Sequence, residues 1–94
     1  MAVARLHGTV IADSDDTVVV EGNHYFPADS VRSDLLADTD LTTLCPWKGV
    51  AHYKTATVDG TDHADVAWYY LKPSMLARRI KGRIAFDRRV DVEA

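Results

Sequence analysis

Cys45, Trp47 and Lys48 stand within the run Cys45-Pro-Trp-Lys-Gly49, and each can do a different piece of chemistry. A cysteine thiolate is a nucleophile, an indole offers a stacking face and an N–H donor, and a lysine supplies a cation for a carboxylate or phosphate. Pro46 fixes φ near about −65° and lacks an N–H, while Gly49 admits backbone conformations that a Cβ forbids. The run therefore reads as a shaped loop, within Thr43 to Tyr53, and not as a periodic helix or strand. Loops that carry such residues are more often sites than spacers.

Tyr25, Tyr53, Trp68 and Tyr70 come from separate segments that a β fold can bring to one place. With Trp47 they form the wall of an expected pocket for a planar or sugar-like ligand, and Arg32 and Lys48 add charge for a carboxylate or phosphate. The competing reading is that the rings are core. It applies to Tyr53, Trp68 and Tyr70 more than to Trp47, whose loop position packing explains less well.

Cys45 carries two readings. As a nucleophile it needs a base, for which His24, His52 and His63 are the candidates; as the chain's lone cysteine it equally suits a buried structural thiol. No cysteine and histidine stand at zinc-ligand spacing, so no metal and no cofactor are expected; the one alternative is a site that His24, His52 and His63 assemble in space.

The elements that must position these residues are strands. The chain has 94 residues, 47% hydrophobic and 27% charged, which suits one domain with a modest core. Val3 to Ile11 is extended with a bend at His7-Gly8, and Ala12 to Asp16 is a polar turn. Thr17 to Glu21 and His24 to Phe26 make a hairpin about Gly22-Asn23. Val31 and Leu35 fall four apart after a capping Ser30, which predicts a short helix from Ser30 to Leu36. Asp38 to Thr43 then leads into the central loop. Gly49 to Val58 and His63 to Leu71 are strands about Asp59-Gly60, with Ala64, Val66, Trp68 and Tyr70 on one face. A second helical turn runs from Ser74 to Ile80, pairing Leu76 with Ile80 and closing at Gly82. Arg83 to Phe86 and Val90 to Val92 complete the strands.

Eleven Lys and Arg against fourteen Asp and Glu give a net charge of −3, which is not the balance of a generic nucleic-acid binder. Arg78, Arg79, Lys81, Arg83, Arg88 and Arg89 nonetheless cluster near the C-terminal end. No apolar run approaches the ~20 residues of a membrane span. A single cysteine and the absence of a signal-like leader make the cytoplasm the expected location.

Tyr25-Phe-Pro27, Val31-Arg32, Asp34-Leu-Leu36, Thr43, Cys45-Pro-Trp-Lys-Gly49, Tyr53, Ala67-Trp-Tyr-Tyr70, Pro73 and Lys81-Gly-Arg-Ile-Ala-Phe86 occur in that order. Together, from about Thr9 to Val92, they resemble the bacterial family known as domain of unknown function 427. The resemblance implies a compact, mainly β, tent-like fold with a pocket near the aromatic residues, and it brings a nucleotidyltransferase-like label. That activity demands two or three carboxylates converging on Mg²⁺ and donors for a triphosphate. Asp38 and Asp40 have the i,i+2 spacing that points two side chains to one side of a strand, and Asp13, Asp15 and Asp16 form another cluster. Both stretches also read as polar turns, and no Gly-rich phosphate loop is present.

The expectation is a single, mainly β domain over residues 1–94, built as a small antiparallel two-layer structure with one or two short helices. It binds a small ligand through Tyr25, Arg32, Trp47, Lys48, Tyr53, Trp68 and Tyr70, without nucleic acid or a membrane as partner. An enzyme, a protein-interaction module and a homodimer stay open beside it.

Overall fold

A computed structural model describes residues 1–94. The chain doubles back where paired residues accept a left-handed backbone. His7-Gly8 (φ 49° and 80°), Glu21-Gly22 (54° and 80°) and Asp59-Gly60 (53° and 76°) each close a two-residue hairpin. Their twist matches that of the flanking strands.

Nine strands result: β1 (Ala2–Leu6), β2 (Thr9–Ser14), β3 (Val18–Val20), β4 (Asn23–Tyr25), β5 (Leu36–Cys45), β6 (Gly49–Val58), β7 (Thr61–Tyr70), β8 (Ile84–Phe86) and β9 (Asp91–Glu93). They pair antiparallel in three sheets, ordered β2-β1-β9, β3-β4 and β5-β6-β7-β8. Phe26 and Ile84 exchange backbone hydrogen bonds of 2.8 and 2.9 Å, which hang the β3-β4 hairpin on β8. The expected mainly β, antiparallel architecture is the one observed.

Two apolar clusters use the four-stranded sheet. The larger packs Ala2, Ala4, Leu6 and Ile11 against Phe26, Ala56, Val58, Val66, Ala67 and Phe86. The smaller joins Tyr25, Ala51, Tyr70, Ala77, Ile80 and Ala85, with Val18, Val20, Cys45, Tyr53 and Trp68 packed on its rim. Consecutive residues of one extended segment point to opposite sides. Tyr25 therefore enters the smaller cluster and Phe26 the larger.

The expected short helices are present, but as 3₁₀ turns. Ser30 to Leu36 forms no α-helix; two 3₁₀ turns, Ala28–Ser30 and Ser33–Leu35, flank an extended Val31. The backbone here is drawn to β2, since Val31 bridges Ala12 and Arg32 N–H donates to Ile11 O at 2.7 Å. Val31 and Leu35 do reach the core, but from irregular backbone. The Ser74 to Ile80 stretch is likewise 3₁₀, spanning Met75–Ile80 with a kink at Ala77. With three residues per turn, i and i+3 align. Ala77 and Ile80 therefore share the buried side, and Leu76, expected to pair with Ile80, is 81% exposed.

Asp38 to Thr43, read as a lead-in to a loop, belongs to the ten-residue strand β5. Its register on β6 slips between Asp38 and Thr42. A matching slip on β7 surrounds Asp65, whose φ is 54°. Thr39 Oγ1 donates to Asp65 Oδ1 at 2.7 Å and so ties the two irregularities together. The β7 bulge breaks the alternation expected there: Val66 and Ala67 both enter the larger cluster, and Trp68 and Tyr70 serve the smaller one.

Candidate functional site

Cys45 and Gly49 pair as the last residues of β5 and the first of β6, so Pro46, Trp47 and Lys48 form the turn between two long strands. Gly49 has φ 113°, and a Cβ there would lie 3.3 Å from the Lys72 carbonyl oxygen. That close approach lets the segment after β7 clasp the turn. Ser74 N–H donates to Lys48 O at 2.9 Å, and the Ser74 hydroxyl donates to Trp47 O.

Strand pairing sets the face. Ala51 lies opposite Tyr70, Tyr53 opposite Trp68, and Trp68 opposite Ala85, so these side chains share one side of the sheet. The Trp68 indole donates to Tyr25 Oη at 3.2 Å, and the Tyr53 and Trp68 ring centroids are 6.4 Å apart. Tyr53 Oη and Thr43 Oγ1 are hydrogen-bonded at 3.0 Å.

Lys48 turns inward over this face. It is the only charged residue in the buried class, 6% exposed. Its Nζ lies 5.3 Å from the Trp47 ring centroid and 5.7 Å from that of Tyr70, and it forms an ion pair with Glu21 of the β3-β4 turn. The Trp47 indole donates to the other Glu21 oxygen at 3.4 Å. The hydrogen bond from Lys48 holds the Glu21 carboxyl below its ordinary range, against a desolvation penalty, with Trp47 and the Lys48 charge assisting. Burial works against the Lys48 ammonium, but the Glu21 hydrogen bond and the neighbouring Tyr25, Tyr70 and Cys45 outweigh it, and its pKa lies above the ordinary value. Burial pushes the Tyr70 phenol up, against the pull of Lys48.

A lowered carboxyl pKa contributes stability above the unfolded value and loses it as pH falls through the folded one. The melting temperature of wild type should exceed that of Glu21→Gln near neutrality, and the gap should close on acidification below pH 4.5, the ordinary Glu21 value. The raised Lys48 pKa has the opposite sign: its contribution is complete below 10.5 and fades as pH rises through the higher folded value. Melting curves of both proteins across pH check this, and a gap unchanged in acid would refute the pairing.

The profile of the family described as domain of unknown function (DUF427) matches residues 1–94. The chain belongs to that family. No curated protein matches it.

Of the residues nominated from sequence, the DUF427 fold gathers Tyr25, Trp47, Lys48, Tyr53, Trp68 and Tyr70. Arg32 stands apart. It is exposed, donates to both carboxylate oxygens of Asp34 (3.0 and 2.8 Å), and sits where the chain crosses β2. The expected hollow among the rings is also absent, because Lys48 itself occupies the space beneath Trp47. The three concavities of the molecule are lined by other residues. One, of about 310 Å³, is walled by Val31, Leu36, Tyr69, Leu71 and Ile84, with Lys54 at its polar side. There Lys54 Nζ lies 2.7 Å from Asp38 Oδ1 and 5.2 Å from the Tyr69 ring centroid. Lys54, through its hydrogen bond and then its charge, keeps the Asp38 carboxyl low.

The geometry bears on the enzymatic alternatives too. Cys45 is half-buried on the aromatic face of the sheet. His52 stacks on Tyr69 on the other face, His24 Nδ1 is hydrogen-bonded to Thr17, and His63 packs against His7; none is hydrogen-bonded to the thiol. No three His, Cys, Asp or Glu side chains converge on one point. Asp38 is drawn to Lys54, and the register slip beyond it interrupts the regular i,i+2 geometry that Asp38 and Asp40 required.

Glu21 and Ser74 complete the site and were not nominated. A buried lysine demands a counter-charge, so the need for an anion could be read once Lys48 was placed inside. Its identity could not: Glu21 lies 27 positions from Lys48 along the chain, and only the hairpin hung on β8 brings it near.

Proposed function

We propose that this DUF427 domain is a small-molecule-binding module whose recognition surface is the Trp47–Lys48–Glu21 group backed by Tyr25, Tyr53, Trp68 and Tyr70. The single observation that carries the reading is a buried cation, caged by rings, whose only ion-pair partner comes from a surface hairpin turn. Glu21 marks the position of an anion. A ligand carboxylate or phosphate takes that position when the Glu21 side chain, itself exposed, swings into water. Trp47, 37% exposed, offers the stacking surface for an attached ring. Exchange of one anion for another leaves Lys48 paired throughout, which avoids the large cost of an unpaired buried charge.

A thermal-shift screen tests this with aromatic carboxylates, phosphate, common metabolites, and nucleotides with and without Mg²⁺. A ligand at ~100 times its Kd stabilises the folded form by about 2.7 kcal/mol. The expected result is a shift for wild type that folded Trp47→Ala and Lys48→Met both lose and that Glu21→Gln enhances, because the competing carboxylate is gone. A ligand retained by both variants would sink the assignment.

The cavity of about 310 Å³ supports a second reading, in which the ligand is a small apolar acid lying on Leu36, Tyr69 and Ile84 with its carboxylate toward Lys54. In that case Tyr69→Ala, not Trp47→Ala, removes the shift.

A further inference from the structure

The segment from Leu71 to Arg83 holds five of the eleven Lys and Arg residues and none of the fourteen Asp and Glu. Only Arg83 is neutralised, by Asp16. Lys72, Arg78, Arg79 and Lys81 are exposed and take part in no ion pair. On a chain of net charge −3 this is a sharp local reversal of sign.

The same segment exposes three of its four large apolar side chains, Ile80 alone being buried. Met75 and Leu76 are each 81% exposed and Leu71 is 52% exposed. Packing does not require this, because Ala77 and Ile80 alone carry the segment's contact with the smaller core cluster. Met75 and Leu76 stand exposed before the kink at Ala77, and Arg78, Arg79 and Lys81 stand exposed after it. The segment thus presents an exposed apolar pair flanked by cations, with Lys72 on the approach. The segment is held, not loose: Ser74 N–H bonds to Lys48 O (2.9 Å), Gly82 N–H to Tyr70 O (3.0 Å) and Arg83 N–H to Ile80 O (3.0 Å).

From this arrangement we infer that Leu71–Arg83 is a docking surface for an anionic lipid bilayer. Met75 and Leu76 enter the boundary between headgroups and acyl chains, and Lys72, Arg78, Arg79 and Lys81 lie among the anionic headgroups. No helix is long and apolar enough to cross a membrane, and the attachment is to the surface, by the combination of apolar insertion and basic attraction that peripheral proteins use. Charge complementarity selects this occupant: the rest of the chain is acidic and is repelled, so the molecule meets the bilayer in one orientation. Nucleic acid shares the negative charge but provides nothing for a projecting Met75-Leu76 pair, and Leu71–Arg83 holds no aromatic ring to stack on a base.

Co-sedimentation with phosphatidylcholine–phosphatidylserine vesicles, and with phosphatidylcholine alone, tests the proposal. Wild type should bind the anionic vesicles, release from them as salt is raised, and ignore the neutral ones. Each basic residue near an anionic surface contributes roughly fivefold in affinity, so Arg78→Glu with Arg79→Glu should lower binding on the order of a hundredfold. Met75→Ser with Leu76→Ser should weaken binding without altering its salt dependence. Arg88→Glu, an exposed position outside the segment, should leave it unchanged. All substituted positions are exposed, and unchanged melting curves confirm that the variants fold. Failure of wild type to bind anionic vesicles, equal loss in Arg88→Glu, binding indifferent to the Met75 and Leu76 changes, or displacement from the vesicles by a single-stranded oligonucleotide each overturns the proposal.

Discussion

Phe26→Ala should lower the stability of the domain by about 3–5 kcal/mol, the range for removing a fully buried phenylalanine. Phe26 is 0% exposed. Its ring meets Phe86 edge-on with centroids 5.8 Å apart, and its backbone exchanges two hydrogen bonds with Ile84. The residue is therefore the clamp by which the β3-β4 hairpin, and with it Glu21, is held to β8. At roughly 0.05–0.15 kcal/mol per residue, a chain of 94 residues has on the order of 5–14 kcal/mol in total. The loss thus removes roughly a fifth of the stability at the least, and most of it at the lower end of that range. Urea titration followed by tryptophan fluorescence measures it, and a change under about 1 kcal/mol would show that the ring is not clamped.

Gly49→Ala should cost about 2–3 kcal/mol, within the range for a non-glycine residue forced into a sparsely populated backbone region. At φ 113° the new Cβ lies 3.3 Å from Lys72 O and 3.6 Å from Pro73 Cα, both backbone atoms that cannot rotate away. In a domain of this size the cost corresponds to a fall in melting temperature of roughly 10–20 °C. Gly8→Ala is the comparison. It has φ 80° and open space around its Cβ, so it bears the left-handed penalty without the crowding. A Gly49→Ala melting point equal to that of Gly8→Ala would remove the steric argument. If the argument holds, the clasp of Ser74 on Lys48 O loosens, and Trp47 emission reports a changed environment.

Much of the fold was legible because its signals are local. Asp59-Gly60 turns because those residues accept positive φ, and Val18 to Val20 is extended because β-branched side chains favour it; His7-Gly8, read as a bend in one extended run, is instead a full hairpin turn between β1 and β2. Parity then took Tyr53, Trp68 and Tyr70 to one face. Parity also failed where a bulge intervened, at Asp65 and between Asp38 and Thr42, because no residue type there announces an extra residue against the partner strand. The helix expected from Ser30 to Leu36 is broken into two 3₁₀ turns for a related reason. Val31 and Leu35 have helical spacing, but β2 offers Arg32 N–H and Val31 an edge to bond, and that partner lies some twenty positions earlier in the chain.

At the site the division is the same. The residue types of Cys45 to Gly49 already required a shaped turn bearing a ring and a cation, since Pro46 and Gly49 act on their own backbone. Whether Lys48 faced water or the core was not a local property. It depended on Tyr70 and Trp47 supplying ring faces, on Glu21 arriving from the hairpin beyond β8, and on Ser74 securing the turn from behind. Burying a charge is favourable only when its partners come with it. Those partners meet through tertiary packing alone, and so the inward Lys48, the outlying Arg32 and the bare Met75-Leu76 tip were decided there.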